Sequence, residues 1–277
     1  MIHLFALLSL LLCGVCYTGF QNSSHFHNTS NRRSLLLLVF GGALLLRLLL
    51  AYTTHGFSND IACFAAWADR IFTLGPGQFY SAEMFTDYPP GFMYVLYLIG
   101  ALRSLLQIPY YSDLHILLLK SPAILCDIAC GFLLYREAVK RLHFSDLQGI
   151  FAASAYLFQP AVILNSSCWG QVDSVYTLMI ILMCLFLMKG NLLPAYAVYG
   201  LGVLLKPQML IFTPVLLAGI WDHVFLQDFS WRKFFYNLCG GLVVICGMLL
   251  LCAPFGLTAA ISQYTLSLIH ISEPTRL

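Results

Sequence analysis

Apolar residues in this chain fall in blocks rather than in stripes. Residues 35–50 are almost wholly Leu, Val, Phe, Gly and Ala, broken late by Arg47. Similar blocks lie at 91–106, 114–135, 149–164, 175–188, 192–205, 209–221 and 238–252. A helix needs roughly 20 apolar residues to cross the hydrocarbon core, about 17 at the short end. Several blocks meet that length and several fall short. Short or Gly/Pro-interrupted segments are expected where broken helices line a cavity. The pattern predicts an all-α, polytopic transmembrane bundle over residues 35–265. An uncertain leader and polar linker precede it at 1–34, and a non-native tail follows at 266–277.

The polar stretches between blocks orient the chain. Arg32 and Arg33 precede the first block, and positive residues favour the cytoplasmic side. The helix over this first block therefore runs from inside to outside and leads into a long outer loop at 55–88. Within that loop, residues 60–74 space Ile61, Phe64, Ala65, Ala68 and Phe72 along one helical side. That predicts a helix lying along the membrane surface. Gly75-Pro76-Gly77 ends it, and Pro89-Pro90-Gly91 opens the next helix, proline being tolerated in a first turn. Strict alternation would put residues 136–141 outside, whereas Arg136, Lys140 and Arg141 argue for inside. Either one segment between Gly91 and Tyr135 does not span, or the charge rule fails there. Arg232 and Lys233 support a later inside loop, and counting back from them puts Trp169–Asp173 outside. No internal repeat is evident.

Composition narrows the class. The chain is 60% hydrophobic and 9% charged, against about 25% charged residues in a soluble domain. A net charge of +2 without a basic patch argues against a nucleic-acid partner. The ten cysteines form no metal or disulfide framework. Cys13 and Cys16 have CxxC spacing but lie in an apolar run, and Cys184, Cys246 and Cys252 sit inside apolar blocks, where Cys acts as a small hydrophobe. Cys63 and Cys168 fall in polar loops and could pair only if both face an oxidising compartment; the expectation is that they do not. Residues 1–20 are apolar with only His3 as a possible positive group, which reads as an uncleaved or spurious leader. The triplets at Asn22 and Asn28 matter only in a eukaryotic lumen. Residues 266–276, LSLIHISEPTR, resemble the translation of a transposase adapter used in sequencing libraries. That resemblance implies a gene cut near Thr265 and further C-terminal helices missing.

Four constellations carry candidate chemistry. Lys120 and Asp127 lie seven residues apart in one block, on one helical face. A charge at mid-membrane costs at least about 2.5–3.5 kcal/mol, so it is functional or paired. Lys120 reads either as a phosphate contact or as half of a structural pair. Lys206-Pro207-Gln208 breaks a block, where proline frees a carbonyl and the lysine can meet an anionic head group or snorkel to the interface. Trp169-Gly170-Gln171-Val172-Asp173 offers a flat ring, close backbone approach and hydrogen bonds to hydroxyls. Its blander reading is a belt tryptophan with a helix-capping Asp. The outer loop holds Asp60, Asp69, Glu83 and Asp87 interleaved with Phe57, Phe64, Trp67 and Tyr80, which suits a docked surface. Sugar transfer to a hydroxyl needs a carboxylate to take its proton and positive charge near the departing phosphate. The chain has no G-x-G-x-x-G after a strand, no G-x-x-x-x-G-K-[ST], no H-E-x-x-H and no Ser-His-Asp pattern. The sugar donor would then be a lipid. No metal is required, though Asp60 and Asp87 could share a divalent ion.

Taken in order, these residues resemble a known family. Arg47 is followed by Asn59-Asp60-Ile61 with Phe64 and Trp67, then Tyr88-Pro89-Pro90-Gly91 and Lys120-Ser121-Pro122 with Asp127. Gln159-Pro160 with Asn165, Trp169-Gly170-Gln171-Val172-Asp173 and Lys206-Pro207-Gln208 complete the series. The series is similar to the prokaryotic mannosyltransferases related to the GPI mannosyltransferase II group, within the GT-C glycosyltransferase superfamily, over roughly residues 47–255. The resemblance implies a multi-helix fold with its active site on the non-cytoplasmic face, and a bacterial cytoplasmic membrane or endoplasmic reticulum location. It implies a polyprenyl- or dolichyl-phosphate sugar donor, a glycan or lipid acceptor, and inversion at the sugar carbon. It also implies an essential Asp in the first outer loop, a position that Asp60 matches. On this reading Asp60 is the general base. Lys120 and Lys206 hold the donor phosphate with help from Arg47. Asp87, Tyr88, Asp127, Trp169, Gln171, Asp173 and Gln208 shape the substrate site. A lipid-linked sugar flippase or transporter is the rival, resting on intramembrane Lys120 and Asp127 and the broken helices. A non-catalytic membrane subunit or gene fragment is the third reading.

Overall fold

The computed structural model describes residues 32–80, 86–227 and 229–263, together with Gly14. Apart from Gly14, the leader at 1–20 lies outside the described residues, and with it the two Asn triplets, Glu83 and the tail at 266–277. Among those residues there is no strand. The helices are α1 (Arg32–Thr53), α2 (Ser58–Leu74), α3 (Pro90–Leu105), α4 (Asp113–Lys140), α5 (Asp146–Leu157) and α6 (Pro160–Ile163). They continue as α7 (Asp173–Met188), α8 (Leu192–Leu205), α9 (Thr213–Trp221) and α10 (Trp231–Cys252). Short π-helical turns follow α6 (Leu164–Trp169) and α9 (Asp222–Leu226), and a 3-10 turn leads into α9 (Pro207–Phe212).

Four stretches are long and apolar enough to cross a membrane: Arg32–Thr53, Asp113–Lys140, Pro207–Leu226 and Trp231–Phe255. A fifth is added if Asp146–Leu157 and Pro160–Trp169, bent by 51°, form one broken span. The bend falls at Gln159-Pro160, inside a block that reads as continuous in sequence. The residue before a proline is driven out of the helical region, and Gln159 is extended, with φ −62° and ψ 119°. Leu37, Leu38, Leu105, Leu250 and Val243 are among many large apolar side chains left exposed, a surface suited to hydrocarbon rather than water. The two helices between Gly91 and Tyr135 differ in length. α3 has 16 residues, about 24 Å of rise against a core of about 30 Å. α4 has 28 residues and length to spare. Pro122 sits within α4 and cannot donate to the Leu118 carbonyl; the Ser121 hydroxyl donates to that carbonyl instead, at 2.7 Å.

The chain divides into two compact units. The first comprises residues 1–65 and 108–178, the second 66–107 and 179–277. In the first, α1, α4 and α5 pack around Val39, Ala43, Tyr135, Ile150, Ala153 and Leu157. Ser145 caps α5 in a reciprocal box with Gln148. Arg32, at the start of α1, pairs with Asp146 at 3.2 Å and donates to the Tyr135 hydroxyl at 3.1 Å. Arg32, Arg33, Arg136, Lys140 and Arg141 thus gather at one end of this unit.

In the second unit, α8 packs against α3 and α10. A Cβ at Gly91 would stand 2.5 Å from the Leu204 carbonyl oxygen, so only glycine lets the first turn of α3 lie against the last turn of α8. Gly91→Ala is expected to cost about 1–3 kcal/mol by overpacking. The readout is the thermal midpoint of the purified protein in detergent, and an unchanged midpoint would refute the close-approach role.

Candidate functional site

The site is built where the loops of the first unit meet. α1 ends at Thr53 and α2 begins at Ser58, with Gly56 turning the link at φ 80°. The Phe57 amide donates to the Trp169 carbonyl at 2.9 Å, which ties this link to the turn that follows α6. Asp60 falls in the first turn of α2, where a carboxylate meets the unsatisfied amides and positive dipole end of the helix. Apolar α2 residues Ile61, Phe64, Ala65, Trp67, Ala68 and Ile71 are buried. The helix expected over 60–74 is therefore present, two residues longer at its start, while Phe72 is only half-buried.

The turn carrying Trp169–Asp173 is held from within. The Asn165 carbonyl accepts from the amides of Gly170 at 3.1 Å and Gln171 at 2.9 Å. The Asn165 side-chain amide donates to Asp173 at 3.0 Å, at the first residue of α7. Gly170 is left-handed, φ 85°, and a Cβ there would stand 2.6 Å from Ile61 Cδ1. Both strain and space require glycine. The turn aims the Gln171 side-chain amide at the Asp60 carboxylate, to which it donates across 111 residues of chain. Trp169 stays 52% exposed and meets the Phe57 ring edge-on at 6.1 Å. Gly170→Ala is expected to destabilise the turn by about 1–3 kcal/mol. It should also raise proteolytic nicking between Asn165 and Asp173, and a wild-type digestion pattern would contradict this.

Beneath the two loops lies Lys120, fully buried. Its ammonium donates to the Thr54 carbonyl at 2.6 Å, the Ser167 carbonyl at 2.9 Å, the Thr54 hydroxyl at 3.1 Å and the Ala51 carbonyl at 3.2 Å. Ala51 lies in the last turn of α1 and Ser167 late in the π-helical turn, so one cation meets carbonyls at the C-terminal ends of two helical segments. Lys120 points at backbone oxygens rather than at open space. A phosphate contact would need its donors turned away from these carbonyls.

Two turns further along α4, Asp127 is fully buried with Arg47 of α1. Arg47 Nε lies 3.1 Å from Asp127 Oδ2, and the guanidinium also donates to the Leu157 carbonyl at 2.7 Å and the Ala43 carbonyl at 3.2 Å. The carboxylate accepts from the hydroxyls of Ser166 and Ser174 at 2.6 Å each and from Tyr156 at 3.3 Å. Asp127 thus pairs with Arg47, and Lys120 does not join the pair. The four hydrogen-bonded partners come from α1, α5, the π-helical turn and α7, so the group acts as a polar core.

The remaining expected residues belong to the second unit. Tyr88 packs between Trp67 and Phe92, at 5.6 and 5.5 Å between ring centres, and its carbonyl accepts from the Tyr80 hydroxyl at 2.9 Å. Asp87 precedes it and is half-buried. Lys206 is extended, as a residue before proline should be, and its amide donates to Gly202 at 2.9 Å. Gln208 carries a buried side-chain oxygen with no hydrogen-bond partner among the described residues. The Gly91–Leu204 contact brings the Tyr88-Pro89-Pro90-Gly91 and Lys206-Pro207-Gln208 motifs together.

Asp60 and Asp87, considered as a metal pair, fall in different units. Among the described residues no three His, Cys, Asp or Glu side chains gather as a metal-holding group. The described cysteines, Cys63 and Cys168 included, are all thiols. No protein-family model and no curated protein matches the chain.

Sequence reasoning passed over several parts of this arrangement. Thr54 holds Lys120 through both its carbonyl and its hydroxyl, and no motif marks it. Ser166, Ser174 and Tyr156 surround Asp127 without any spacing that announces it. The exposed Tyr52, Phe57, Tyr110 and Tyr111 join the belt tryptophan Trp169 at the ends of α1, α2, α4 and the π-helical turn. Their signal, aromatics at block boundaries, was available and marks a membrane interface.

Proposed function

We propose that this chain is a membrane glycosyltransferase of the GT-C type. It moves a hexose, mannose in the family it resembles, from a polyprenyl- or dolichyl-phosphate carrier to a glycan or lipid acceptor, with inversion. The carrying observation is the hydrogen bond from Gln171 to Asp60, which joins two motifs 111 residues apart at one end of the first unit. The Lys/Arg-rich end, at Arg32, Arg136, Lys140 and Arg141, lies at the other end of α1 and α4. The charge rule assigns that end to the cytoplasm, which supports Asp60 on the non-cytoplasmic face. The exposed aromatic belt beside Asp60 suits a substrate whose reacting group sits at the lipid headgroup level.

In this reaction Asp60 takes the proton of the acceptor hydroxyl, whose oxygen attacks the anomeric carbon from the side opposite the phosphate. The carrier phosphate departs with the bonding electron pair. Gln171 orients the carboxylate, and Trp169 offers a flat face to the sugar. Lys120 shapes the site by fixing both loops through their carbonyls. Arg47 and Asp127 keep α1 and α4 in register beneath the site.

The test presents membranes carrying the protein with labelled polyprenyl-phosphate mannose, polyprenyl-phosphate glucose and a nucleotide-linked mannose. Transfer is expected from a lipid-phosphate sugar only. Transfer from the nucleotide sugar alone would overturn the donor assignment. Movement of the lipid-linked sugar between leaflets without transfer would overturn the enzyme assignment in favour of a flippase.

A further inference from the structure

Two neighbouring cavities in the second unit are not used by the proposed transfer reaction. One, of about 400 Å³, is apolar and bounded by α8, α9 and α10 with Leu216, Phe225, Phe234, Leu242 and Met248 in its wall. The other, of about 600 Å³, mixes apolar residues such as Leu193 and Pro194 with Asn191, His223, Arg232 and Lys233, and is the more polar of the two. Tyr196 donates to Asn237 at 3.3 Å between α8 and α10, and Asn237 lines both cavities, so one opens beside the other.

We infer that this pair of cavities binds one anionic glycerophospholipid. Its phosphate lies against Arg232, Lys233 and His223, and an acyl chain lies in the apolar cavity. Three observations commit the occupant. First, the charge is complementary. Arg232 is exposed and makes no hydrogen bond or ion pair among the described residues. Lys233 donates to the Gln227 carbonyl at 3.2 Å, which holds its ammonium at the cavity rim. Both side chains stand in the first turn of α10, a 22-residue helix whose amide end favours an anion. Asp222, in the turn before α10, accepts from the Gln227 side-chain amide at 2.6 Å and does not line the cavity.

Second, the level is right for a headgroup. Trp221, Phe225, Phe229 and Trp231 form an exposed aromatic chain, with ring centres 4.7, 5.8 and 5.2 Å apart in sequence. Exposed tryptophans at a helix end mark the interface between water and hydrocarbon. Phe225 faces the apolar cavity and Tyr236 the polar one, so the boundary between the cavities falls at that level. Third, the apolar cavity is open on the side of Gly241. A Cβ there would meet no atom within 4 Å, which leaves a slot where a chain can lie along α10. Arg232 and Lys233 also sit on the side that the charge rule makes cytoplasmic, where anionic lipids concentrate.

The experiment is native mass spectrometry of the delipidated full chain in detergent. It is titrated with dioleoylphosphatidylglycerol, dioleoylphosphatidylcholine, undecaprenyl phosphate and soluble glycerol 3-phosphate. One phosphatidylglycerol should bind roughly thirtyfold tighter than phosphatidylcholine, as two basic side chains at a membrane surface predict. Arg232→Gln with Lys233→Gln should reduce it to the phosphatidylcholine level. Gly241→Leu, which fills the slot without displacing backbone, should weaken both lipids. Equal binding of the two phospholipids, insensitive to the Arg232 and Lys233 variants, would overturn the proposal. So would glycerol 3-phosphate binding as tightly as the lipid, which indicates a soluble-phosphate site. Undecaprenyl phosphate outcompeting phosphatidylglycerol would assign the cavities to the carrier instead.

Discussion

Asp127→Leu is expected to lower stability by about 3–5 kcal/mol, and Arg47→Met by a similar amount, because each leaves a buried charge without its partner. The double variant should cost less than the sum of the two. In Asp127→Leu the guanidinium keeps only the carbonyls of Leu157 and Ala43. The hydroxyls of Ser166, Ser174 and Tyr156 lose their common acceptor. In Arg47→Met the carboxylate keeps three hydroxyls but loses its counter-charge. Removing both charges together deletes the two most expensive groups at once, and residues in direct contact show such coupling. Thermal or detergent-induced unfolding of the four proteins checks this. Strict additivity would mean that the pair is energetically independent despite its 3.1 Å contact.

Asp60→Asn is expected to reduce transfer by about 10²–10⁴-fold, the usual contribution of a positioned general base, while thermal stability stays near wild type. Asparagine has nearly the same shape and still offers an oxygen to Gln171. Loss of the aspartate charge at the start of α2 should cost only about 0.3–1 kcal/mol of dipole interaction, so the helix should persist. What asparagine cannot do is take a proton. If Asp60 only stabilised the start of α2, Asn would leave turnover intact. Gln171→Ala should give a smaller loss, about tenfold, because it frees the carboxylate without removing it. A Gln171→Ala loss equal to that of Asp60→Asn would make the pair, rather than the carboxylate, the essential unit.

Much of this fold is legible from block length alone. The boundaries of α3, α4, α7 and α8 fall within a few residues of their apolar blocks, because hydrocarbon-facing and interior residues are both apolar and only the ends differ. The α2 helix is legible from spacing, and its end from Gly75, which is left-handed at φ 75°. The break at Gln159-Pro160 is not, since the block around it stays apolar while proline alone decides the backbone. Partners inside the membrane are also poorly legible. Lys120 and Asp127 share a helix face, yet one binds carbonyls and the other Arg47, a choice set by which neighbouring segments end there. The Asp60–Gln171 pairing joins two motifs that the sequence marks separately. Their separation of 111 residues gives no hint of contact, and only the left-handed turn at Gly170 aims one at the other.

The most direct test of the central claim is a side-by-side transfer assay of wild type and Asp60→Asn. Both would be held in native membranes at matched abundance with labelled polyprenyl-phosphate mannose and a hydroxyl-bearing acceptor. The account predicts labelled product from wild type and a loss of at least about a hundredfold in the variant, with equal thermal stability. Equal turnover by the two proteins would contradict it, because the carboxylate joined to Gln171 would then have no part in the chemistry.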